Sequence, residues 1–170
     1  MVIGGVERLV DTEGFEVYSR PLTRTSALRR TPDQVRREHV SAWLEHALAA
    51  LEGTVRLEAR AGLRSPVPGE PATPEAAACV CVERAVNALL VFHQVEAGKN
   101  TGVDGMVALL NGADRSRMQS VMATFAGLQG RASARARRVL GEILRRLGED
   151  AGMRPYLAPS KARLQRVAAD

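Results

Sequence analysis

Residues 76–95 read AAACVCVERAVNALLVFHQV, and they are the stretch that decides the fold. Up to Phe92 only Glu83, Arg84 and Asn87 interrupt the apolar residues, and Thr73-Pro74 is typical of a capped helix start. A helix that is apolar on every side has to be surrounded by other elements. The stretch is barely long enough for a membrane span, and the Glu83-Arg84 pair falls within it. It therefore predicts a central buried helix in a mainly α fold, a helical bundle of four or five helices.

The helix before it has the clearest start signal in the chain. Thr31 is positioned as the N-cap, Pro32 as the first helical residue and Gln34 as the partner that completes a capping box. Its apolar residues recur at helical spacing: Val35, Val40, Trp43, Ala47 and Leu51. Gly53 is predicted to end it as a left-handed C-cap. Residues 54–61 alternate apolar and polar, which predicts an edge strand, with a helix continuing past Gly53 as the alternative.

The second half of the chain predicts several more helices. Gly98 is interpreted as the C-cap of the central helix, and it opens the glycine-rich loop 98–105. A short helix is predicted over 106–110, and Asp114 is predicted to cap the next one. Further helices are predicted over 131–147 and, beyond Pro155 and Pro159, over 160–168.

The domain organisation follows from the proline and glycine positions. Phe15 and Val17 alternate with polar residues, which predicts a short β element in an N-terminal arm, residues 1–30. Residues 31–170 are predicted to form one helical-bundle domain. Four prolines fall within residues 65–74, and we interpret this stretch as a stiff loop inside that domain.

Most catalytic and metal chemistry lacks a sequence signal. Cys79 and Cys81 are expected to be small buried apolar residues, and His39, His46 and His93 are expected to be core or boundary histidines. Gly98-Lys99-Asn100 lacks the upstream glycine and the following Ser or Thr of a phosphate loop. We therefore expect no enzyme, no metal, no cofactor and no small-molecule substrate. Without a signal peptide or a membrane span, a soluble cytoplasmic location is expected.

The basic residues are concentrated toward the C-terminus. Residues 101–170 carry twelve Lys or Arg against six Asp or Glu, whereas the whole chain has a net charge of +5. In the densest part, residues 115–146, the only acidic residue is Glu142. The candidate nucleic-acid-binding residues are Arg115, Arg117, Arg131, Arg135, Arg137, Arg138 and Arg145. Because Arg131, Arg135, Arg138 and Arg145 fall at i, i+4, i+7 and i+14, they predict one ridge that follows a phosphate backbone, although an arginine-rich genome gives the same excess.

These charges favour a non-enzymatic, nucleic-acid-associated protein that binds phosphates without reading bases. It is expected to form a homo-oligomer, and a self-assembling packaging or coat-type subunit, located in a virion, is one form of it. The alternative is a small adaptor or regulatory module that buries the apolar helix, or Met118 and Met122, against a protein partner. A helix-turn-helix DNA-binding regulator is the third choice, because Gln119, Ala123 and Gly127 have the spacing of such a unit.

Overall fold

The computed structural model describes the backbone of residues 2–3, 6–10, 16–21, 31–60, 73–126 and 131–169, and the side chains of 31–60, 73–123 and 131–167. Over these residues six helices form: α1 (Pro32–Arg60), α2 (Pro74–Phe92), α3 (Val103–Ala108), α4 (Gly112–Ala126), α5 (Ala132–Leu147) and α6 (Arg154–Ala169). The predicted mainly α architecture is confirmed, but the described residues form six helices where four or five were predicted.

The chain divides into two compact units, residues 1–35 and residues 36–170. The first contains the strands β1 (Val2–Ile3), β2 (Val6–Val10) and β3 (Glu16–Pro21). They pair antiparallel in the order β1-β2-β3, with Val10 opposite Glu16 and a register shift between Val6 and Arg8. The side chains of residues 1–30 and all of Phe15 lie outside the described residues.

Helix α2 is the centre of the second unit, as its apolar sequence predicts. It packs most extensively against α5 and also contacts α3. Eight of its residues are buried: Ala77, Ala78, Cys81, Ala85, Val86, Ala88, Leu89 and Leu90. Because α1 and α5 add leucines and an isoleucine to the same cluster, the core is aliphatic.

The start of α1 is confirmed and its end is not. The amide of Thr31 donates to Gln34 Oε1 at 2.9 Å, and the amide of Gln34 donates to Thr31 Oγ1 at 3.2 Å, which is the predicted capping box. The helix then runs through Gly53 to Arg60, so the predicted edge strand over 54–61 is wrong. Burial explains the difference, because Thr54 is fully buried one turn after Leu51 and its hydroxyl donates to the Ala50 carbonyl at 2.9 Å.

Helix α2 begins where the sequence predicts and ends earlier. Thr73 accepts from the amide of Ala76 at 3.1 Å as the N-cap. At the other end, Gln94 takes a left-handed φ of 58°, its amide donates to the Val91 carbonyl, and the amide of Val95 donates to the Leu90 carbonyl. This is a Schellman motif with Gln94 in the position that glycine usually holds. The prediction that Gly98 caps the helix is therefore wrong.

The next two helices are shifted relative to the prediction. Helix α3 ends at Ala108, so the helix predicted over 106–110 lies earlier in the chain. Asn111, not Asp114, caps α4, because Asn111 Oδ1 accepts from the amide of Asp114 at 2.9 Å. The Asp114 carboxylate is buried and bonds elsewhere, as described below.

The C-terminal helix is longer than the 160–168 predicted. Pro155 lies in its first turn, where a missing N–H costs little, and Pro159 lies inside the helix. The buried side chains explain why the helix tolerates Pro159, because Leu157, Ser160 and Val167 recur at helical spacing against the core. The tertiary contacts of this stripe outweigh the local proline signal.

Several single-residue expectations change with the fold. Cys81 is buried, and burial raises the pKa of its thiol to about 12, but Cys79 is exposed, contrary to the prediction. His39 and His46 are exposed on α1, because both lie on the side opposite its buried leucines. Over the described residues, no helix is long and apolar enough to cross a membrane.

Candidate nucleic-acid interface

Helix α5 separates apolar and basic residues onto two faces. Its inward face carries Ala136, Val139, Leu140, Ile143 and Leu147, all buried in the core. The predicted arginine ridge lies beside this face and therefore runs along the surface. The structure divides the seven predicted arginines into three groups, according to what each guanidinium contacts.

Two of the seven arginines belong to a network of charges at the C-terminal end of α5. Arg145 donates to both oxygens of Glu142, at 3.0 and 2.6 Å, and to Glu149 at 3.0 Å. On α4, Arg117 Nε lies 3.4 Å from Glu142 Oε1, and Arg117 Nη1 lies 3.3 Å from Glu149 Oε1. The hydrogen bond from Arg145 lowers the pKa of Glu142, so this carboxylate stays ionised beside the two guanidinium groups. These two arginines are therefore already neutralised.

Two further arginines bond backbone carbonyls. The Arg115 guanidinium donates to the Leu110 carbonyl through Nε at 3.2 Å and through Nη2 at 2.9 Å. Arg137 Nη2 donates to the Val167 carbonyl near the end of α6 at 2.7 Å, where a cation also suits the helix dipole. Both positions hold secondary-structure elements together, which the sequence did not indicate.

The remaining three are Arg131, Arg135 and Arg138. They make no salt bridge with any residue in the described part of the chain. Arg131 and Arg138 are exposed and Arg135 is half-buried. The arginines of the ridge form one row in the sequence, but the structure divides them. Arg145, at the C-terminal end, is paired with carboxylates, and the uncompensated positive charge is confined to the N-terminal half.

The N-terminus of α5 is already occupied by a carboxylate from α1. Glu58 Oε1 accepts from the amide of Ser133 at 2.9 Å, and Glu58 Oε2 accepts from the Ser133 hydroxyl at 2.5 Å. A phosphate at this helix end would compete with Glu58 for the same donors. Anion binding on α5 therefore depends on arginine side chains rather than on the helix terminus.

A buried charge cluster lies where the sequence placed a solitary histidine. His93 Nε2 and Asp114 Oδ2 are 2.7 Å apart, and Arg146 Nε donates to Asp114 Oδ1 at 2.6 Å. Burial acts to raise the pKa of Asp114, but the hydrogen bonds from Arg146 and His93 outweigh it and the pKa lies below its usual range. The cluster ties the end of α2 to α4 and α5. No sequence signal marks it, because its members lie 21 and 32 residues apart.

An open cavity of about 420 Å³ lies beside Arg135, and we call it the α2–α5 cavity. Val82, Met122 and Val139 supply its apolar wall, and Glu75 and Asp104 add two carboxylates. Its mixed charge makes it a poor anion site. Met118, which the adaptor interpretation needs on the surface, is fully buried, so only Met122 of that pair is accessible.

The helix-turn-helix interpretation remains a prediction. Helices α4 and α5 pack against each other, but Gly127, which would make the turn, lies outside the described residues. Within the described ranges, no group of three or more potential metal-ligating side chains lies close enough to hold an ion.

The uncompensated half of the arginine ridge is thus the strongest concentration of unpaired charge on α5. The function has to be inferred from this geometry alone. The chain matches no protein-family model, no curated protein and no solved structure.

Proposed function

We propose that this protein binds the phosphate backbone of a nucleic acid through Arg131, Arg135 and Arg138. The observation that carries the proposal is the contrast along one helix face. Arg145 and its neighbours are compensated by Glu142 and Glu149. The three N-terminal arginines make no salt bridge with a described residue, although Arg135 lines the α2–α5 cavity together with Glu75 and Asp104. A general solvated face mixes both signs of charge along its whole length.

The spacing of the three arginines suits a phosphate backbone. Residues 131 and 138 are separated by seven helical rises, about 10 Å, which is the axial rise of roughly three nucleotides in one strand. A guanidinium binds phosphate oxygens through two parallel hydrogen bonds. Aromatic residues make up only 4% of the chain, so few side chains can stack on bases. Binding is therefore expected to be independent of the nucleotide sequence.

The test is the salt dependence of binding to random-sequence oligonucleotides, measured by fluorescence anisotropy. Three neutralised phosphates predict a slope of log K against log salt of about −2.7 for duplex DNA and about −2 for a single strand. Arg131→Gln and Arg138→Gln should each make the slope less steep by roughly 0.7 to 0.9, because each removes one phosphate contact. Both positions are exposed, so neither variant should disturb the core.

The matched control is Arg166→Gln on α6, another exposed arginine whose loss changes the net charge equally. We expect it to leave the slope unchanged. An equal loss in all three variants would mean that net charge, and not the α5 ridge, drives binding. A wild-type protein that shows no binding even at low salt would contradict the proposal outright.

The wider role follows from the same hypothesis. The N-terminal arm, residues 1–30, supplies a β element and further arginines, and the protein self-associates on nucleic acid as a packaging or coat-type subunit. Its place is then the cytoplasm, or the virion if it packages a viral genome. Light scattering with and without RNA measures both the oligomeric state and the size of any particle.

A protein-interaction module is the second candidate, and the α2–α5 cavity favours it. Its apolar wall accepts an apolar side chain, and its charges of both signs suit a peptide. Met122→Glu would then abolish capture of the partner and leave the salt slope for oligonucleotides unchanged. The opposite pattern favours the nucleic-acid proposal.

A further inference from the structure

A second cationic feature lies between α1 and α2. Helices α1 and α2 leave between them a concavity of about 200 Å³, which we call the α1–α2 groove. Three arginines line it: Arg56 and Arg60 from α1 and Arg84 from α2. No carboxylate of the described residues lines it.

The groove exists because the residues at its floor are small. Ala49, Gly53 and Ala77 leave unfilled the space that larger side chains close elsewhere in the core. A Cβ built on Gly53 would lie 3.9 Å from Arg56 Nη2, so the Arg56 guanidinium lies directly beside this floor. The volume equals that of roughly seven liquid water molecules, enough for a small anion of several heavy atoms.

Several carboxylates of α1 are bonded to side chains of other helices. Three of its carboxylates are engaged by other helices: Glu45 by Ser160 and Arg163, Glu52 by Arg163 through both oxygens, and Glu58 by Ser133. Arg56 and Arg60 make no salt bridge with a described residue. Glu52 is still close enough to Arg56 for its charge to lower the pKa of Glu52, but the Glu52 carboxylate oxygens are bonded to Arg163.

Arg84 is positioned for the same ligand from the other helix. Its Nη1 donates to the His46 carbonyl on α1 at 3.1 Å, which fixes the side chain across the groove. The remaining N–H groups of a guanidinium can then meet an oxyanion. This bond restricts the Arg84 side chain before any ligand binds. The side chain therefore loses less conformational entropy when a ligand binds.

We propose that the α1–α2 groove binds a small phosphorylated molecule, with Arg56, Arg60 and Arg84 as its phosphate ligands. Three guanidinium groups match a group with more than one negative charge, and the restricted space excludes a base-paired helix. The site is separate from the α5 ridge and does not depend on it. A phosphate of a bound nucleic acid presents the same oxygens, so the experiment has to separate the two sources.

The probe is inorganic pyrophosphate, titrated into the full-length chain by calorimetry at low and at physiological salt. We expect one saturable site per chain. Arg56→Gln and Arg84→Gln should each weaken the affinity roughly tenfold or more, since a hydrogen bond to a charged group contributes about 1.5–3 kcal/mol. Thermal unfolding of each variant checks that the fold is intact.

Gly53→Leu tests the cavity while retaining all three arginines. A Cβ at Gly53 makes only an ordinary contact with Arg56, and leucine favours a helix, so this variant should fold at least as stably while losing pyrophosphate binding. Arg138→Gln on α5 is the matched control and should bind pyrophosphate like the wild type.

Four results in the pyrophosphate titration would overturn the proposal: no saturable binding by the wild type, unchanged binding by Gly53→Leu, unchanged binding by both arginine variants, or an equal loss in Arg138→Gln. Oligonucleotide binding distinguishes the two sites. Groove variants that keep the wild-type salt slope and lose pyrophosphate binding assign the groove to a free small molecule. A groove variant that loses both would make it part of the nucleic-acid path and would contradict a separate site.

Discussion

At the scale of the residue, the signals that act within one turn are the ones that the sequence predicts correctly. Thr31 and Gln34 form their capping box, and Thr73 caps α2, because both ends of each bond lie three residues apart. Gly53 and Gln94 are the opposite case. Their backbone conformations depend on what the residues after them contact. Gly53 therefore lies inside α1 with a helical backbone, whereas Gln94 has a left-handed backbone after the end of α2.

Gly53→Ala should stabilise the protein. Glycine costs about 0.8–1 kcal/mol relative to alanine inside a helix, and a Cβ at this position makes only ordinary contacts. The melting temperature should rise by roughly 2–4 °C, measured by circular dichroism. Gly141→Ala inside α5, where a Cβ meets nothing, is the matched comparison and should behave alike. A left-handed Gly53 would give a loss of stability.

Gln94→Gly should also stabilise the protein, for a different reason. A left-handed backbone costs an ordinary residue roughly 1–2 kcal/mol, and glycine does not pay this cost. The greater freedom of glycine in the unfolded chain offsets part of the gain. Denaturant unfolding should therefore show an increase of about 0.5–1 kcal/mol. Asn100→Gly, at φ 67°, should gain less because asparagine tolerates this conformation better; an equal or larger gain there would contradict this explanation.

At the scale of the element, the sequence predicts which stretches are helical but misjudges where α1, α2 and α3 end and where α6 begins. The spacing of the arginines predicted the ridge on α5. It did not predict that Arg145 would be paired with carboxylates while the N-terminal arginines would not. Glu149 and Arg117 lie on neighbouring turns or helices, and only the fold brings them to Arg145. The same reasoning applies to α6, whose Pro159 suggests a break that the buried stripe overrides.

Helix α6 is held on α1 by Arg163. This guanidinium donates to Glu45 at 2.6 Å and to Glu52 at 2.7 and 2.8 Å, and its hydrogen bond is the main cause of the lowered pKa of Glu52. Arg163→Gln should cost roughly 1–2 kcal/mol of stability, because the network is only partly exposed. Hydrogen exchange should show the largest loss of protection in α6.

Lys161→Gln is the control for that experiment, since it removes one charge from an exposed position of the same helix. It should leave exchange in α6 unchanged. Loss of protection spread evenly over all the helices in Arg163→Gln would mean that Arg163 supports global stability and does not hold α6 specifically.

At the scale of the whole molecule, buried or partly buried carboxylates give the fold a dependence on pH. The pKa values of Glu52, Asp114 and Glu142 all lie below their usual range. Below the ordinary carboxyl pKa the unfolded chain therefore binds more protons than the folded one, and the free energy of unfolding falls as the pH falls.

We expect the melting temperature to be nearly constant above about pH 5 and to decrease steadily toward pH 2 as these three groups protonate. Asp114→Asn should be less stable at neutral pH, because His93 and Arg146 lose a charged partner, and its stability should vary less with pH. A wild-type melting temperature that does not change between pH 5 and pH 2 would contradict the assignment of these pKa directions.

The bond between α1 and α6 also sets an order of events during protein synthesis. Arg163 follows its two carboxylate partners in the chain by 111 and 118 residues, so a ribosome adding roughly 5–20 residues per second makes it about 6–20 s after Glu52. Throughout that interval the nascent α1 exposes the two carboxylates that α6 later bonds. Helix α1 is thus completed by a helix made 111 residues later, and a chaperone that protects the emerging chain would have to hold α1 until α6 has been made.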